Sequence, residues 1–383
     1  MRITGLYREF ISSERSGGLL LIACTIISMV IANTSIGSSY VHLWHADLLS
    51  KPVEFWINDG LMTIFFLMVG LEIERELYIG ELSDPKRSLL PILAAMGGMM
   101  VPALIHFMFN SGTITQNGFG IPMATDIAFS LAILSLLGNR VPVQLKIFLT
   151  ALAIIDDLGA IIVIALFYSS NFSWMYFGLA MGVFALLFIL NRLKVYYTWI
   201  YLVLGMVMWF FMYRSGVHAT ITGVILAFAI PFGNGKQDSV SYKLQHRLHF
   251  PVAFIILPLF ALANTAIIIP STVVNDVFST NSYGIIFGLL LGKPIGIFLF
   301  SMLGIALGFC LMPEGVKKRH LLFTGCIAGI GFTMSIFITL LAFNNEFIIN
   351  SSKIAVIVGS IASGVFGYLG LKYTLGKQEL KPE

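Results

Sequence analysis

The chain has 383 residues, of which 57% are hydrophobic and only 11% charged, and its mean hydropathy is +0.90. Soluble domains carry roughly 25% charged residues, so this composition excludes a soluble globular protein and indicates a polytopic membrane protein. The formal net charge of +4 is then no nucleic-acid signal, because the placement of the charges matters more than their sum.

Apolar windows of about 20 residues mark twelve candidate spans: 15–34, 53–78, 88–109, 114–137, 143–168, 173–191, 198–213, 216–231, 241–268, 283–308, 319–343 and 351–375. The first follows Arg8 and Arg15 as a signal peptide would. Its apolar run exceeds a signal h-region of about 7–15 residues and lacks a small-x-small cleavage site, so we read it as a retained span. The seventh and eighth spans are short and separated only by Tyr213-Arg214-Ser215-Gly216. With both termini cytoplasmic, inward-facing ends collect all of the 23 basic residues except Lys51, Arg214, Lys353 and Lys293. The positive-inside rule therefore supports an even span count. Trp44, Trp56, Trp174 and Trp199 fall near span ends, where aromatic belts form, although scattered aromatics explain them nearly as well. Cys24, Cys310 and Cys326 show no pairing or metal spacing, and no disulfide is expected. The loops are short and hold no phosphate-binding glycine loop followed by Lys-Ser/Thr. Transport work, if any, must come from ion gradients, and no cofactor is called for.

Four charges stand inside the spans: Asp126 in the fourth, the adjacent pair Asp156 and Asp157 in the fifth, and Lys293 in the tenth. At 1.5 Å rise per residue they lie about 15–18 Å from the ends of their spans, near the middle of a hydrocarbon core about 30 Å thick. Such groups are costly in lipid and mark functional sites. A shared depth suggests a shared site, and one lysine facing three aspartates leaves negative charge suited to a cation. Gly118, Gly120 and Pro122 interrupt the fourth span, and Gly325, Gly329 and Gly331 interrupt the eleventh. Such paired interruptions point to an inverted-repeat transporter with a midplane site, although glycines also permit close helix packing. Spans 3–5 (88–168) and 10–12 (283–375) would form the two repeats. Segments 15–78 and 198–268 would serve as interface and scaffold within a single unit, 1–383.

Broken helices leave partial charges at their free ends. Asp126 is expected to balance the N-terminal ends and Lys293 the C-terminal ends, leaving Asp156 and Asp157 for chemistry. Burial and mutual repulsion raise the proton affinity of such a pair, which titrates as one coupled unit. A dehydrated Na⁺ or Li⁺ wants oxygen ligands, and the two carboxylates with Thr125 could supply them. Protons and cation would then compete for the same oxygens, which yields antiport if the site alternates between faces. A second group, Glu72, Glu74, Arg75 and Glu76 on the second span, shares the inner face with His246, Arg247 and His249. Histidine titrates near neutral pH, so these groups are either a pH gate or an ordinary solvated charge cluster. Asp59 is a vestibule charge or a helix N-terminal residue.

Ala124-Thr125-Asp126-Ile127-Ala128-Phe129, Ala153-Ile154-Ile155-Asp156-Asp157-Leu158-Gly159-Ala160 and Gly292-Lys293-Pro294-Ile295-Gly296 resemble the bacterial NhaA-type Na⁺/H⁺ antiporters. So do Trp56-Ile57-Asn58-Asp59, Gly70-Leu71-Glu72, Ser215-Gly216-Val217-His218-Ala219-Thr220, Leu257-Pro258-Leu259-Phe260 and Gly329-Ile330-Gly331-Phe332-Thr333-Met334-Ser335. The match runs from about Ser16 to Tyr373. It implies an all-α polytopic membrane protein with twelve transmembrane helices, inverted repeats and discontinuous helices at spans 4 and 11. It implies cation and proton binding at Asp156 and Asp157 with Thr125 close by, and helix-end compensation by Asp126 and Lys293. Glu72, Arg75, Glu76, His246 and His249 match positions linked with pH response, and His218 matches a further one. The expected substrates are Na⁺, Li⁺ and H⁺, exchanged with more than one proton per cation. The expected setting is the bacterial inner membrane with cytoplasmic termini, the surrounding partner the lipid bilayer, and a homodimer possible. Two features depart from the family pattern. Gln245 stands where an acidic residue is frequent, which implies a differently tuned pH response. Segment 38–54 is short where some members carry a longer outer hairpin used in dimer contacts.

Two other classes remain open at this point. An intramembrane aspartyl protease needs one Asp on each of two facing helices, which Asp126 and Asp156 could mimic, yet neither stands in a Gly-x-Gly-Asp or Tyr-Asp setting. A passive cation channel would conduct Na⁺ without counter-directed protons.

Overall fold

Apolar segments in hydrocarbon must satisfy their own backbone polar groups, which restricts spans of this composition to helices or closed barrels. The computed structural model of the chain is mostly helical and describes residues 3–169, 172–269 and 279–376, with the side chains of 3–15 and 85–87 outside that set. Arg2, Lys377 and Lys381, and the side chains of Arg8, Arg15, Lys86 and Arg87, which bear on orientation, therefore lie outside the described residues.

In chain order the helices are α1 (Ile3–Ala32), α2 (Gly37–His45), α3 (Val53–Tyr78), α4 (Pro85–Asn110), α5 (Ile127–Ser135), α6 (Val143–Phe167) and α7 (Trp174–Arg192). They continue with α8 (Thr198–Ser215), α9 (Ile221–Ala229), α10 (Val240–Asn264), α11 (Thr280–Ala306), α12 (Lys318–Ala328), α13 (Phe332–Ala342) and α14 (Glu346–Leu375). Eight helices are long and apolar enough to cross a membrane, or ten spans when each of two bent pairs counts as one. The expected spans at 198–213 and 216–231 correspond to α8 and α9, which are not among those ten. α8 stops where Gly216 turns left-handed at φ 83. α9 has 9 residues, a rise of about 14 Å, and gives way to Ile230-Pro231. The segment after α2 is a minimal antiparallel hairpin pairing Asp47 with Pro52 and Leu48 with Lys51. Leu49 and Ser50 both take positive φ, as a two-residue primed turn requires.

Three spans contain a π-helical turn: Trp56–Leu61 in α3, Val252–Ile256 in α10 and Gly288–Gly292 in α11. In the last two a proline, Pro258 or Pro294, follows by two residues. Its missing N–H cannot serve the preceding turn, and a widened turn is one way the helix accommodates that loss.

Residue contacts divide the chain into two compact units. One comprises Met1–Ala23, Asp84–Ala160 and Ile269–Glu383, the other Cys24–Ser83 and Ile161–Ile268. In the second unit α3 crosses α9 closely. A Cβ on Gly70 would lie 2.7 Å from the Ala227 Cβ, and one on Gly223 would lie 2.2 Å from the Thr63 carbonyl oxygen. Around this crossing Leu71, Tyr201, Met208 and Met212 are fully buried.

The first unit is built on α4 against α11. A Cβ on Gly97 would stand 2.2 Å from the Gly296 carbonyl oxygen, and one on Gly296 would stand 2.1 Å from that of Gly97. The two backbones therefore touch one turn beyond Lys293. Toward the other end of α4, His106 Nε2 meets Asn281 Oδ1 of α11 at 3.0 Å, and Asn281 Nδ2 donates to Ser352 Oγ of α14 at 2.7 Å. Small residues at one contact and a hydrogen-bonded polar chain at the other fix α11 in place. Gly296→Ala is expected to force these backbones apart at an overpacking cost of about 1–3 kcal/mol. It should lower the thermal midpoint in detergent. An unchanged midpoint would show that the crossing can relax.

Candidate functional site: a buried carboxylate–lysine centre at two helix breaks

All the intramembrane charges named from sequence belong to the first unit. A 3₁₀ helix, Gln116–Met123, ends at Met123, and after the extended residues Ala124 and Asp126 the chain resumes as α5. α12 ends at Ala328, and α13 begins at Phe332 with a bend of 48° between them. Pro122 and the glycines at 329 and 331 account for these stops: proline removes a donor, and glycine makes the helical state less favourable.

Each break leaves carbonyls and amides without helical partners, and a buried break must satisfy them. The two breaks do this for one another. The Asp126 amide donates to the Ile330 carbonyl at 2.7 Å, Ser130 Oγ to the Ile327 carbonyl at 3.1 Å, and Ser335 Oγ to the Ile121 carbonyl at 2.6 Å. Asp126 occupies the N-cap of α5, where Oδ1 accepts from the Phe129 amide at 3.0 Å. Its Oδ2 accepts from the Thr333 amide at 2.9 Å and from the Thr333 hydroxyl. A single carboxylate thus meets the positive ends of two half-helices. The opposite ends meet donors. Lys293 Nζ donates to the Met123 carbonyl, and Thr125 Oγ1 lies 2.9 Å from the Ala328 carbonyl oxygen.

Asp156 completes the cluster from the middle of α6. Its Oδ2 lies 2.9 Å from Lys293 Nζ and 2.7 Å from Thr125 Oγ1, and Asp156, Lys293 and Thr125 are all fully buried. Asp156 Oδ1, equally buried, has no hydrogen-bond partner among the described residues. Asp157 is also buried and lies within Coulombic reach of the same ammonium. Adjacent residues on a helix point about 100° apart, so the two carboxylates line different arcs of one wall. The centre therefore brings together Asp156, Asp157, Thr125 and Lys293, with Asp126 one residue along the break. Its balance of three carboxylates against one ammonium is negative.

The remaining residues named from sequence fall in the second unit. Glu72, Arg75 and Glu76 are half-buried on α3, with Glu76 Oε2 accepting from the Glu81 amide at 3.0 Å, while Glu74 is buried. His246 is exposed on α10 with its ring stacked on Tyr242, and His249 is half-buried one turn on. α10 packs against α3. Asp59 stands in the π turn of α3, and its carbonyl accepts from Thr63 Oγ1 at 2.5 Å. His218 occupies the turn between α8 and α9, with Nε2 2.8 Å from the Tyr168 carbonyl oxygen, so that nitrogen carries a proton.

Sequence reasoning left without a role the Met123 and Ala328 carbonyls and the side chains of Ser130, Thr333 and Ser335. Backbone acceptors leave no residue-type signal. Thr333 did carry one, as a hydroxyl residue in the first turn of a helix two positions after Gly331.

The chain matches the model of the family described as Na+/H+ antiporter 1 over residues 8–371. It is 59% identical over 375 residues to the Na(+)/H(+) antiporter NhaA of Flavobacterium psychrophilum, covering 98% of each chain. It is 57% identical to the Na(+)/H(+) antiporter NhaA of Cytophaga hutchinsonii, over 100% of this chain and 99% of that one. The Na(+)/H(+) antiporter NhaA of Dechloromonas aromatica is 55% identical over 97% of both chains. With a buried carboxylate–lysine centre at two helix breaks and likeness along its whole length, this multi-pass membrane protein belongs to the NhaA-type Na⁺/H⁺ antiporter family.

Proposed function

We propose that the chain is an electrogenic secondary antiporter that exports cytoplasmic Na⁺ or Li⁺ in exchange for entering protons, and is not an enzyme. The observation that carries this reading is the fully buried Oδ1 of Asp156, which has no hydrogen-bond partner among the described residues. A buried carboxylate oxygen without a donor needs an explanation, and a desolvated cation or a proton supplies one. Asp156 and Asp157 bind the transported ion, with the Thr125 hydroxyl as a further oxygen, and Lys293 occupies Asp156 when the cation is absent. Cation entry displaces the ammonium from Oδ2 and releases protons; proton return from the other face restores the pair. With Lys293 as an ammonium on Asp156 and a proton on Asp157, cation entry releases two protons for one monovalent charge, so each cycle moves net charge. The membrane potential then contributes about 2.3 kcal/mol per net charge per 100 mV.

In this reading the chain forms twelve spans with cytoplasmic termini in a bacterial inner membrane, and works for sodium and pH homeostasis. The breaks at 124–126 and 329–331 are the crossed discontinuous helices of two inverted repeats, 88–168 and 283–375, with 15–78 and 198–268 as interface and scaffold. Asp126 and Lys293 balance the helix ends. Glu72, Arg75, Glu76, His246, His249 and His218 tune activity to pH, Asp59 lines a vestibule, and a second copy supplies a homodimer partner. Support comes from the family and from the placement of the titratable groups on packed helices.

Purified protein in proteoliposomes tests the exchange. An outward Na⁺ or Li⁺ gradient should drive proton uptake across a pH range spanning neutrality, K⁺ should not, and an imposed potential should change the rate. Sodium flux that persists without counter-directed protons would replace the antiporter with a channel. Exchange indifferent to potential would remove the electrogenic stoichiometry.

A further inference from the structure

α12 is a half-helix of 11 residues, short enough that its stability depends on its ends. Its far end is the Ala328 carbonyl, which shares the single hydroxyl proton of Thr125 with Asp156 Oδ2 and so sets where that hydroxyl stands against the carboxylate. Its near end is built unusually. Lys317, with extended backbone at φ −100 and ψ 159, is the N-cap. Lysine offers no acceptor for the orphan amides of a first turn. The third helical residue supplies one: the Lys317 amide donates to Nδ1 of His320 at 3.2 Å, while the His320 amide donates back to the Lys317 carbonyl at 2.9 Å. This is the reach-back half of a capping box, a place taken in that motif by Glu or Gln, here filled by histidine. The geometry requires Nδ1 to be unprotonated, so the proton sits on the buried Nε2, with Thr374 at the end of α14 as the neighbouring backbone. His320 is only 4% exposed.

We propose that His320 is a protonation-dependent positioning residue. In its neutral form it caps α12 and fixes the half-helix that holds Thr125 against Asp156, and its protonation releases that first turn and lowers exchange. An imidazolium donates from both nitrogens, so it would turn an N–H toward the Lys317 amide and place positive charge at the positive end of the helix. The surroundings provide little to offset this. The neighbouring chain carries Lys317, Lys318 and Arg319, with Glu314 three residues ahead of the cap. Of the elements packed on α12, α5 has no titratable residue and α11 has Tyr283 and Lys293, the latter at the far end of the contact, while the last turns of α14 bring Tyr368, Lys372 and Tyr373. Acidification of the face at which α12 begins therefore weakens the cap, independently of the groups on α3 and α10.

The inference rests on the proposed exchange only for its effect on rate, and two readouts keep the two apart. His320→Gln restores an amide oxygen that accepts without titrating. It should keep the plateau exchange rate of the wild type while moving the acid limb of the pH–activity curve about half a pH unit or more toward acid. His320→Ala should lose rate at every pH. Hydrogen exchange of residues 317–322, corrected for intrinsic rates, should speed up on acidification in the wild type and stay level in His320→Gln, whether or not the liposomes transport. Superimposable pH profiles and equal amide protection in wild type and His320→Gln would overturn the proposal.

Discussion

Asp157→Asn is expected to abolish Na⁺-dependent dissipation of a pH gradient in everted vesicles. Asparagine keeps the size and one carbonyl oxygen, so the loss isolates charge. Lys293, 2.9 Å from Asp156 in the cation-free structure, gives way to the cation, and Asp157 supplies the second negative charge of the pair that holds it. A unit charge about 4 Å from a cation contributes about 4 kcal/mol at an effective dielectric of 20, which is about a thousandfold in cation affinity. The asparagine also takes up no proton, so one arm of the exchange disappears with the other. Asp157→Glu restores the charge and should recover part of the activity with an altered apparent affinity for Na⁺. Retained exchange with unchanged affinity in Asp157→Asn would remove Asp157 from the site and leave Asp156 and Thr125 to bind the ion alone.

The residues that carry this expectation were legible for a physical reason. Hydrocarbon makes a charge costly, so Asp126, Asp156, Asp157 and Lys293 stand out of apolar runs with no knowledge of the fold. The breaks were legible through Pro122 and the glycines of span 11. What sequence could not show was which partner each charge finds. Lys293 reaches Met123 and Asp126 reaches Thr333 across 170 and 207 residues of chain, and those pairings are set by how the 3₁₀ helix and α5 pack against α11 and α13. The expected tasks of Asp126 and Lys293 at helix ends came from electrostatics and from the family resemblance. The additional contact of Lys293 with Asp156 required coordinates. The π turn at Gly288–Gly292 was likewise hidden, although Pro294 marked the place where the helix ladder loses a donor. For Glu72, Arg75, Glu76, His246 and His249, helical spacing showed which residues share an end of the chain's helices but not what each side chain touches. His320 went unnoticed because a capping histidine has no signature apart from its backbone geometry.

Asp126→Ala should be the most destabilising substitution at this centre, and its effect separates structure from transport. One carboxylate accepts from the Phe129 and Thr333 amides and from the Thr333 hydroxyl, so alanine uncaps α5 and α13 together. Each N-cap contributes about 0.5–2 kcal/mol, and hydrogen bonds to a charged group contribute about 1.5–3 kcal/mol. Removing both caps inside a buried break should therefore cost about 3 kcal/mol or more, read as a clear fall in the thermal midpoint in detergent. Asp126→Asn keeps one carbonyl oxygen for one of the two helices but turns an NH₂ group toward the other, and should fall between alanine and wild type. Lithium or sodium added to the purified protein should raise the midpoint of the wild type and of Asp126→Asn alike, because the cation's oxygens are those of Asp156 and Asp157. Loss of that cation-dependent rise in Asp126→Asn, at an unchanged ion-free midpoint, would move Asp126 from the helix ends to the ion itself.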